Sequence, residues 1–321
     1  MFKITTKQIK IEVPGRICLF GDKVDLLEKP VIAATIDSTL EIKLEPLENN
    51  IIEFHSLDLK EKIKFSLKDQ VFNYNHSLKY WTAIVNRLKD KISGFRAIVK
   101  SSIPIGVGLS TSAAISVGLI KGLNILFDMN LKLNEIAELA YICEHDDLGI
   151  SCGRMDQYVI AYGGVTFIET SSQPKVEQLN IDQLPLVVGN SLEKRKSESI
   201  LNRIRKQIND NDETVLNAFK KIEKIVYEGK KAILNSDFKL IGELMNQQQE
   251  QENVLKASTE KLNLLCKTAI ECGAYGAKQM GAGGGGCMEA ICPGKQEQVK
   301  KGIQKAGGLP WIFKIYHYKN I

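Results

Sequence analysis

The stretch Pro104-Ile-Gly-Val-Gly-Leu-Ser-Thr-Ser-Ala-Ala114 constrains this chain more than any other. It follows a run in which Phe95, Ala97 and Val99 alternate with Arg96, Ile98 and Lys100, the period of a strand. It leads into an apolar segment of helical character. A strand, then glycines and small hydroxyls, then a helix start is a built anion site. Gly106 and Gly108 let the backbone turn and approach closely, and the unpaired N–H groups of the first helical turn face the ligand with the helix dipole behind them. Ser110, Thr111 and Ser112 add donors. The same residues suit a capped helix after a tight turn, since Ser and Thr are ordinary N-caps. The choice between the two rests on the remainder of the chain.

With 321 residues, 44% of them hydrophobic and 25% charged, the chain is long enough for two domains, or one large one, with a real core. A net charge of +5 is mild; it suits an anionic small substrate and implies neither nucleic acid nor membrane. Lys194-Arg195-Lys196 and Lys300-Lys301 read as solvated faces. The seven cysteines (18, 143, 152, 266, 272, 287, 292) form no C-x-x-C pair and are odd in number, as reduced thiols of a cytoplasmic protein would be. The first ten residues hold no apolar core for a signal peptide, and Lys121 interrupts the longest apolar candidate for a membrane span. The histidines at 55, 76, 145 and 317 form no metal pair and read as surface or packing residues.

Alternating segments at Ile9–Val13, Thr39–Leu44, Ile51–Phe54 and Lys62–Phe65 predict strands. Leu78, Trp81, Ile84 and Leu88 share one face of a helix over 77–92, and a strand at 94–101 leads into the glycine loop. Helices are expected at about 112–127 and 132–146, the second opened by Asn134, and Gly163-Gly164 introduces a strand at Val165–Ile168. Residues 171–186 have weak periodicity, so the domain boundary is placed there, giving domains 1–178 and 179–321. Beyond it come a strand at Leu186–Val188, helical stretches near 194–208, 212–234 and 237–271, a glycine cluster at Gly281–Gly286 that separates residues 276–280 from a strand at Cys287–Cys292, and a β-like run at Trp311–Tyr318. Interleaving without strict β-α alternation favours an α+β fold.

Two more motifs accompany the loop. Pro14-Gly-Arg-Ile-Cys-Leu-Phe-Gly-Asp-Lys-Val-Asp25 places Arg16, Asp22, Lys23 and Asp25 just past a strand, where charge is costly unless exposed or paired, and pairing of Arg16 with Asp25 is one outcome. The segment Gly281-Ala-Gly-Gly-Gly-Gly286 matches G-x-G-x-x-G, but no βαβ unit follows it, so a dinucleotide fold is excluded. Five glycines in six residues read either as a flexible hairpin or as close backbone approach to something. No G-x-x-x-x-G-K-[ST] occurs.

In this order and spacing the three segments resemble the GHMP kinases (galactokinase, homoserine kinase, mevalonate kinase, phosphomevalonate kinase). The middle motif is similar to P-x-x-x-G-L-S-S-S-A, with Thr111 at one Ser position, and the last looks like G-A-G-x-G-G. Cys152-Gly-Arg-Met-Asp156-Gln157 resembles the galactokinase segment G-I-M-D-Q, which makes the sugar kinases the nearest relatives. The opening motif is similar to the galactokinase G-R-x-N-L-I-G-E-H-T-D but carries Asp22 for Glu and Lys23 for His, and Lys29-Pro-Val-Ile-Ala33 is more like mevalonate kinase.

The resemblance implies a two-lobed fold: an N-terminal lobe like ribosomal protein S5 domain 2 that binds ATP and substrate, and a C-terminal ferredoxin-like α/β sandwich carrying the glycine motif. It implies a kinase moving the γ-phosphoryl group of ATP to a hydroxyl of a sugar or sugar derivative, with a sugar 1-phosphate as one product the resemblance allows. A mevalonate-type kinase and a non-catalytic nucleotide- or sugar-binding regulator are the alternatives. Asp156 is then the catalytic carboxylate, with Arg16 stabilising its ionised form. Pro104, Gly106, Gly108, Leu109, Ser110, Thr111, Ser112 and Ala113 bind ATP. Asp22, Lys23, Asp25, Asp156, Gly283 and Gly284 bind substrate, and Lys23 could meet an acidic group on it. Ser112 and Glu144 hold Mg2+. No nucleic-acid or membrane partner is expected, and the chain is a monomer or homodimer.

Overall fold

The computed structural model describes residues 8–69 and 73–319. The chain forms two compact units, one of residues 1–15, 38–104 and 110–162, the other of 16–37, 105–109 and 163–321. The content is α+β. Strands β1 (Ile9–Phe20) and β2 (Val31–Pro46) each run from one unit into the other along the chain.

The first unit adds β3 (Ile51–Ser56), β4 (Glu61–Ser66), α1 (Lys79–Leu88), β5 (Phe95–Ser101), α2 (Thr111–Leu126), α3 (Leu133–Ile142), a π-turn at Cys143–Asp147 and α4 (Met155–Tyr162). β3 pairs antiparallel with β4 and parallel with β5, and β5 pairs antiparallel with β2 from Leu40↔Ser101 to Pro46↔Phe95. Trp81 of α1 stands edge-on to Phe54 of β3 with ring centroids 4.6 Å apart, and Phe54 meets Phe95 at 5.8 Å. The apolar α2 lies against the strands because Gly118 and Gly122 remove two side chains. A Cβ at Gly122 would stand 2.1 Å from Leu44, and one at Gly118 2.7 Å from Val13. The helix that follows the glycine loop is therefore seated directly on the strands.

In the second unit the early part of β2 pairs with β6 (Val165–Glu169), which pairs with β7 (Lys175–Leu179). A separate antiparallel sheet has the order β11 (Leu309–Trp311), β8 (Leu186–Asn190), β10 (Cys287–Ile291), β9 (Gly276–Gln279). The unit's helices are α5 (Ser197–Asn209), α6 (Glu213–Leu234), α7 (Phe238–Val254), α8 (Glu260–Glu271) and α9 (Gln296–Lys305). Val187, Leu262, Leu265, Met288, Val299 and Ile303 form one dry core. α7 approaches β9 backbone to backbone, and Gly242 and Gly276 meet there.

The helical stretch over 237–271 is in fact two helices. Lys256 adopts φ 49°, and Thr259 caps α8 by accepting from the Leu262 N–H at 3.1 Å. A capping threonine inside an apolar periodicity ends one helix and starts the next. α3 opens at Lys132 rather than Asn134, with Glu135 accepting from the Lys132 N–H at 2.8 Å. Of the β-like run at 311–318, only Trp311 lies in a strand, and Ile315 forms a lone bridge to Ile36. The weakly periodic 171–186 contains β7; α4, MDQYVIAY, is a short apolar run whose periodicity does not separate helix from strand, and α9 carries only Val299 and Ile303 as apolar side chains on its buried face.

A Cβ at Gly276 would stand 1.8 Å from the Gly242 carbonyl oxygen, a backbone atom that has nowhere to go. Gly276→Ala is expected to cost about 3 kcal/mol, seen as a lowered thermal midpoint; an unchanged midpoint would refute the close approach.

Candidate active site

The loop between β5 and α2 turns through Gly106 and Gly108 at φ 78° and 101°. Ser110 follows at φ 59°, in the left-handed region that few non-glycine residues occupy, and its side chain does not cap α2. Its hydroxyl donates instead to an Asp156 carboxylate oxygen. The first-turn N–H groups of α2 are thus left without a side-chain cap, which suits an anion better than a simple capped helix. Pro104 is half-buried, Gly106 exposed and Leu109 buried, and Thr111, Ser112 and Ala113 form the first turn of α2.

Arg16 is buried, with a relative exposure of 5%. Its guanidinium donates to the Gly108 carbonyl at 2.7 Å, and its own N–H donates to the Leu109 carbonyl at 3.1 Å. Backbone and side chain together pin the loop and lay a fixed positive charge along it.

Asp156 sits in the first turn of α4, where a carboxylate is favoured by the dipole. Glu144 lies in the π-turn, a distortion often found at functional sites. Burial pushes its carboxyl up to about 7 against the help of Gln157, with Asp156 adding repulsion and Ser116 and Ser112 easing it. Its Oε1 is buried and makes no hydrogen bond. An orphaned carboxylate oxygen among hydroxyls and an amide oxygen is a hard, oxygen-rich donor set that fits Mg2+. Tyr80 shares this pocket; burial first, then Glu144, pushes its phenol up to about 12.

The second unit corrects the reading of Asp22 and Lys23. Asp22 is fully buried, its oxygens taken by Lys278 Nζ at 2.6 Å, Gln248 Nε2 at 2.8 Å and the Gly281 N–H. Lys23 is 4% exposed; it pairs with Glu252 at 2.5 Å and donates to the Gly281 carbonyl at 2.9 Å. These groups hold the backbone on both sides of the Gly281 Cα and face no open surface, so an acidic substrate has no access to Lys23 here. Asp25 lies half-buried in a 3-10 turn at Val24–Leu27. Gly283 and Gly284 are also buried. A Cβ at Gly283 would stand 2.1 Å from the Ala257 carbonyl, and at Gly284 2.5 Å from Ile200. The close approach that these two glycines permit is to the protein's own chain.

Sequence reasoning passed over Arg195. Its flanking Lys194 and Lys196 are exposed, but Arg195 is half-buried. Its guanidinium carbon lies 3.5 Å from the Cβ position of Gly108, one of its nitrogens 3.8 Å from that of Gly281, and its stem 3.1 Å from that of Gly286. Two glycine segments far apart in sequence thus make a seat for one guanidinium. A run of three basic residues carries no signal that only the middle one turns inward.

The description "GHMP kinases N terminal domain" matches residues 76–164, and "GHMP kinases C terminal" matches 230–308. The mevalonate kinase of Thermococcus sibiricus is 32% identical over 325 residues, 96% of each chain. The D-glycero-alpha-D-manno-heptose 7-phosphate kinase of Campylobacter jejuni is 29% identical over 323 residues, 94% of this chain and 95% of its own. The crystal structure of the Methanococcus jannaschii mevalonate kinase matches with a TM-score of 0.82 at 26% identity, covering 97% of this chain and 99% of that one. The chain belongs to the GHMP kinases, a family of ATP-dependent phosphotransferases. Among the described residues no helix is long and apolar enough to cross a membrane.

Glu289 of β10 faces Lys278 at 3.3 Å, and burial pushes its carboxyl up to about 7 even though Lys278 opposes the shift. A carboxyl whose folded value lies above its unfolded value contributes stability that is complete at low pH and is lost as pH rises through about 7. Glu289→Gln should therefore melt with the wild type at pH 5 and about 3 °C above it at pH 8. A variant less stable than wild type at pH 8 would show that the ionised carboxylate is the favoured form.

Proposed function

We propose that this kinase transfers the γ-phosphoryl group of ATP to a hydroxyl of a sugar or sugar derivative. The observation that carries the reading is Asp156, set in Gly153-Arg-Met-Asp-Gln157 at the start of α4 and held by the Ser110 hydroxyl at the end of the glycine loop. A fixed carboxylate beside a phosphate cradle is what phosphoryl transfer asks of a protein, since the chemistry needs alignment and charge neutralisation more than covalent help.

In this mechanism the N–H groups of 106–113 and the hydroxyls of Thr111 and Ser112 hold the nucleotide phosphates. Arg16 and Arg195 add the two guanidinium charges along the loop. Asp156 orients the acceptor hydroxyl and takes its proton as the new O–P bond forms and the bond to the leaving ADP oxygen breaks. The Ser110 hydroxyl keeps one carboxylate oxygen in place. Ser112 and Glu144 would hold Mg2+, which neutralises phosphate charge when bound. The buried Asp22 and Lys23 support the glycine segment, which leaves acceptor recognition to other residues.

A second reading has its own support. The relative from Thermococcus sibiricus at 32% identity is a mevalonate kinase, and Lys29-Pro-Val-Ile-Ala33 is of that type.

ADP release should be followed with Mg2+ and ATP across galactose, other hexoses, uronic acids, heptoses, sugar phosphates and mevalonate. Turnover of a sugar that falls at least 1000-fold in Asp156→Asn, with nucleotide affinity intact, is the expected outcome. Turnover of mevalonate alone would replace the sugar reading, and ATP binding without any turnover would favour a regulator.

For Arg195→Ala, loss of one charge-assisted contact to phosphate is worth about 1.5–3 kcal/mol, so the KM for ATP should rise roughly 10- to 100-fold. An unchanged KM would return Arg195 to a packing role.

A further inference from the structure

Arg154 lies two residues before Asp156 and is tied to α3 through its guanidinium. Its Nε and Nη2 donate in parallel to the two oxygens of Glu138 in α3, both at 3.0 Å. The Tyr158 hydroxyl donates to the same carboxylate at 2.7 Å. The guanidinium also lies over the Tyr141 ring, 4.2 Å from its centroid. Asp156 and Gln157 are thus bracketed by two residues, 154 and 158, that are anchored on one carboxylate of α3.

α3 runs without a break into the π-turn that bears Glu144. The far end of that turn is held by a second bidentate pair, Arg87 to Asp147, with both contacts at 2.7 Å. Gln157 and Asp156 are among the groups that face Glu144. A bidentate guanidinium fork tolerates little sliding, unlike a single ammonium contact. The Arg154–Glu138 clamp therefore fixes the start of α4 against the π-turn, and with it the spacing between Glu144 and the pair Asp156–Gln157.

We propose that Arg154 is a positioning residue. Through Glu138 it sets the geometry of the cation site at Glu144, so that divalent-metal affinity depends on a side chain that touches neither metal nor nucleotide. The inference rests on the reading of Glu144 and Ser112 as the metal-holding pair. Groups that orient such carboxylates characteristically change metal affinity about 10- to 100-fold when removed.

The test uses Mn2+ as probe, its affinity for the full-length protein with a non-hydrolysable ATP analogue read by water-proton relaxation. Arg154→Ala and Glu138→Gln should each weaken Mn2+ by at least about 10-fold, while the metal-free affinity for the analogue stays within about 2-fold of wild type. Arg154→Lys should restore only part of the loss, because the ammonium cannot span both oxygens. Glu138→Gln keeps the side-chain shape and serves if the alanine variant fails to fold. A lowered melting temperature with unchanged Mn2+ affinity would make the clamp merely structural and overturn the proposal. If the wild type itself holds no Mn2+ beside the analogue, or Glu144→Gln holds it as well as wild type, the metal reading fails first and the inference with it.

Discussion

A set of charges with no access to water organises the second unit. Asp22, Lys278, Glu252 and Glu289 are all fully buried, and Lys23 is nearly so. Burial alone would strip Lys278 of its proton, but Asp22 and Glu289 outweigh it and raise its pKa; Asp22, between Lys278 and Lys23, is held below the usual carboxylate range despite burial. Such a network costs desolvation, and removing Asp22 or Lys278, the two held most firmly in their charged forms, strands the other, at a typical cost of about 3–5 kcal/mol. What the network secures is the backbone on both sides of the Gly281 Cα, its N–H held by Asp22 and its carbonyl by Lys23. From that point the chain runs through four further glycines to Gly286, whose Cα side faces the Val107 carbonyl and the Arg195 stem. The second glycine segment thus packs against Val107 of the first glycine loop, and the charge network fixes where it starts.

The first unit solves a related problem with neutral packing. α2 is seated by two glycines on the strands, and Ser110, in a strained left-handed conformation, gives its hydroxyl to Asp156 in place of the helix cap. One residue therefore leaves the helix N-terminus open and orients the carboxylate. The π-turn brings Glu144 inward, at a cost visible in its raised carboxyl and orphaned oxygen, which is the kind of local cost that functional sites carry.

Much of this was legible in the chain. The period-2 run before Pro104, the glycines and the hydroxyls specify strand, loop and helix by local preference alone, and each element is where that preference puts it. The helix face of Leu78, Trp81, Ile84 and Leu88 is buried as its spacing demands. Asp22 and Lys23 misled, because a charged pair after a strand looks the same whether it faces a ligand or a buried counter-ion. Their partners, Lys278 and Glu252, lie more than two hundred residues away. Gly283 and Gly284 misled for a similar reason: a glycine announces close approach and does not say to what.

The sequence by itself determined the local grammar of the molecule: the glycine loop between strand and helix, the family order of its three motifs, and the carboxylate at 156 beside a glycine turn. These follow from backbone freedom, capping and periodicity, which act over a few residues. Only the tertiary structure decided that Arg195 turns inward from a basic run, that Asp22 and Lys23 serve the glycine segment, and that Arg154 ties the start of α4 to α3. Those outcomes depend on which distant groups share a dry interior, where an unpaired charge is costly and a paired one is fixed in place.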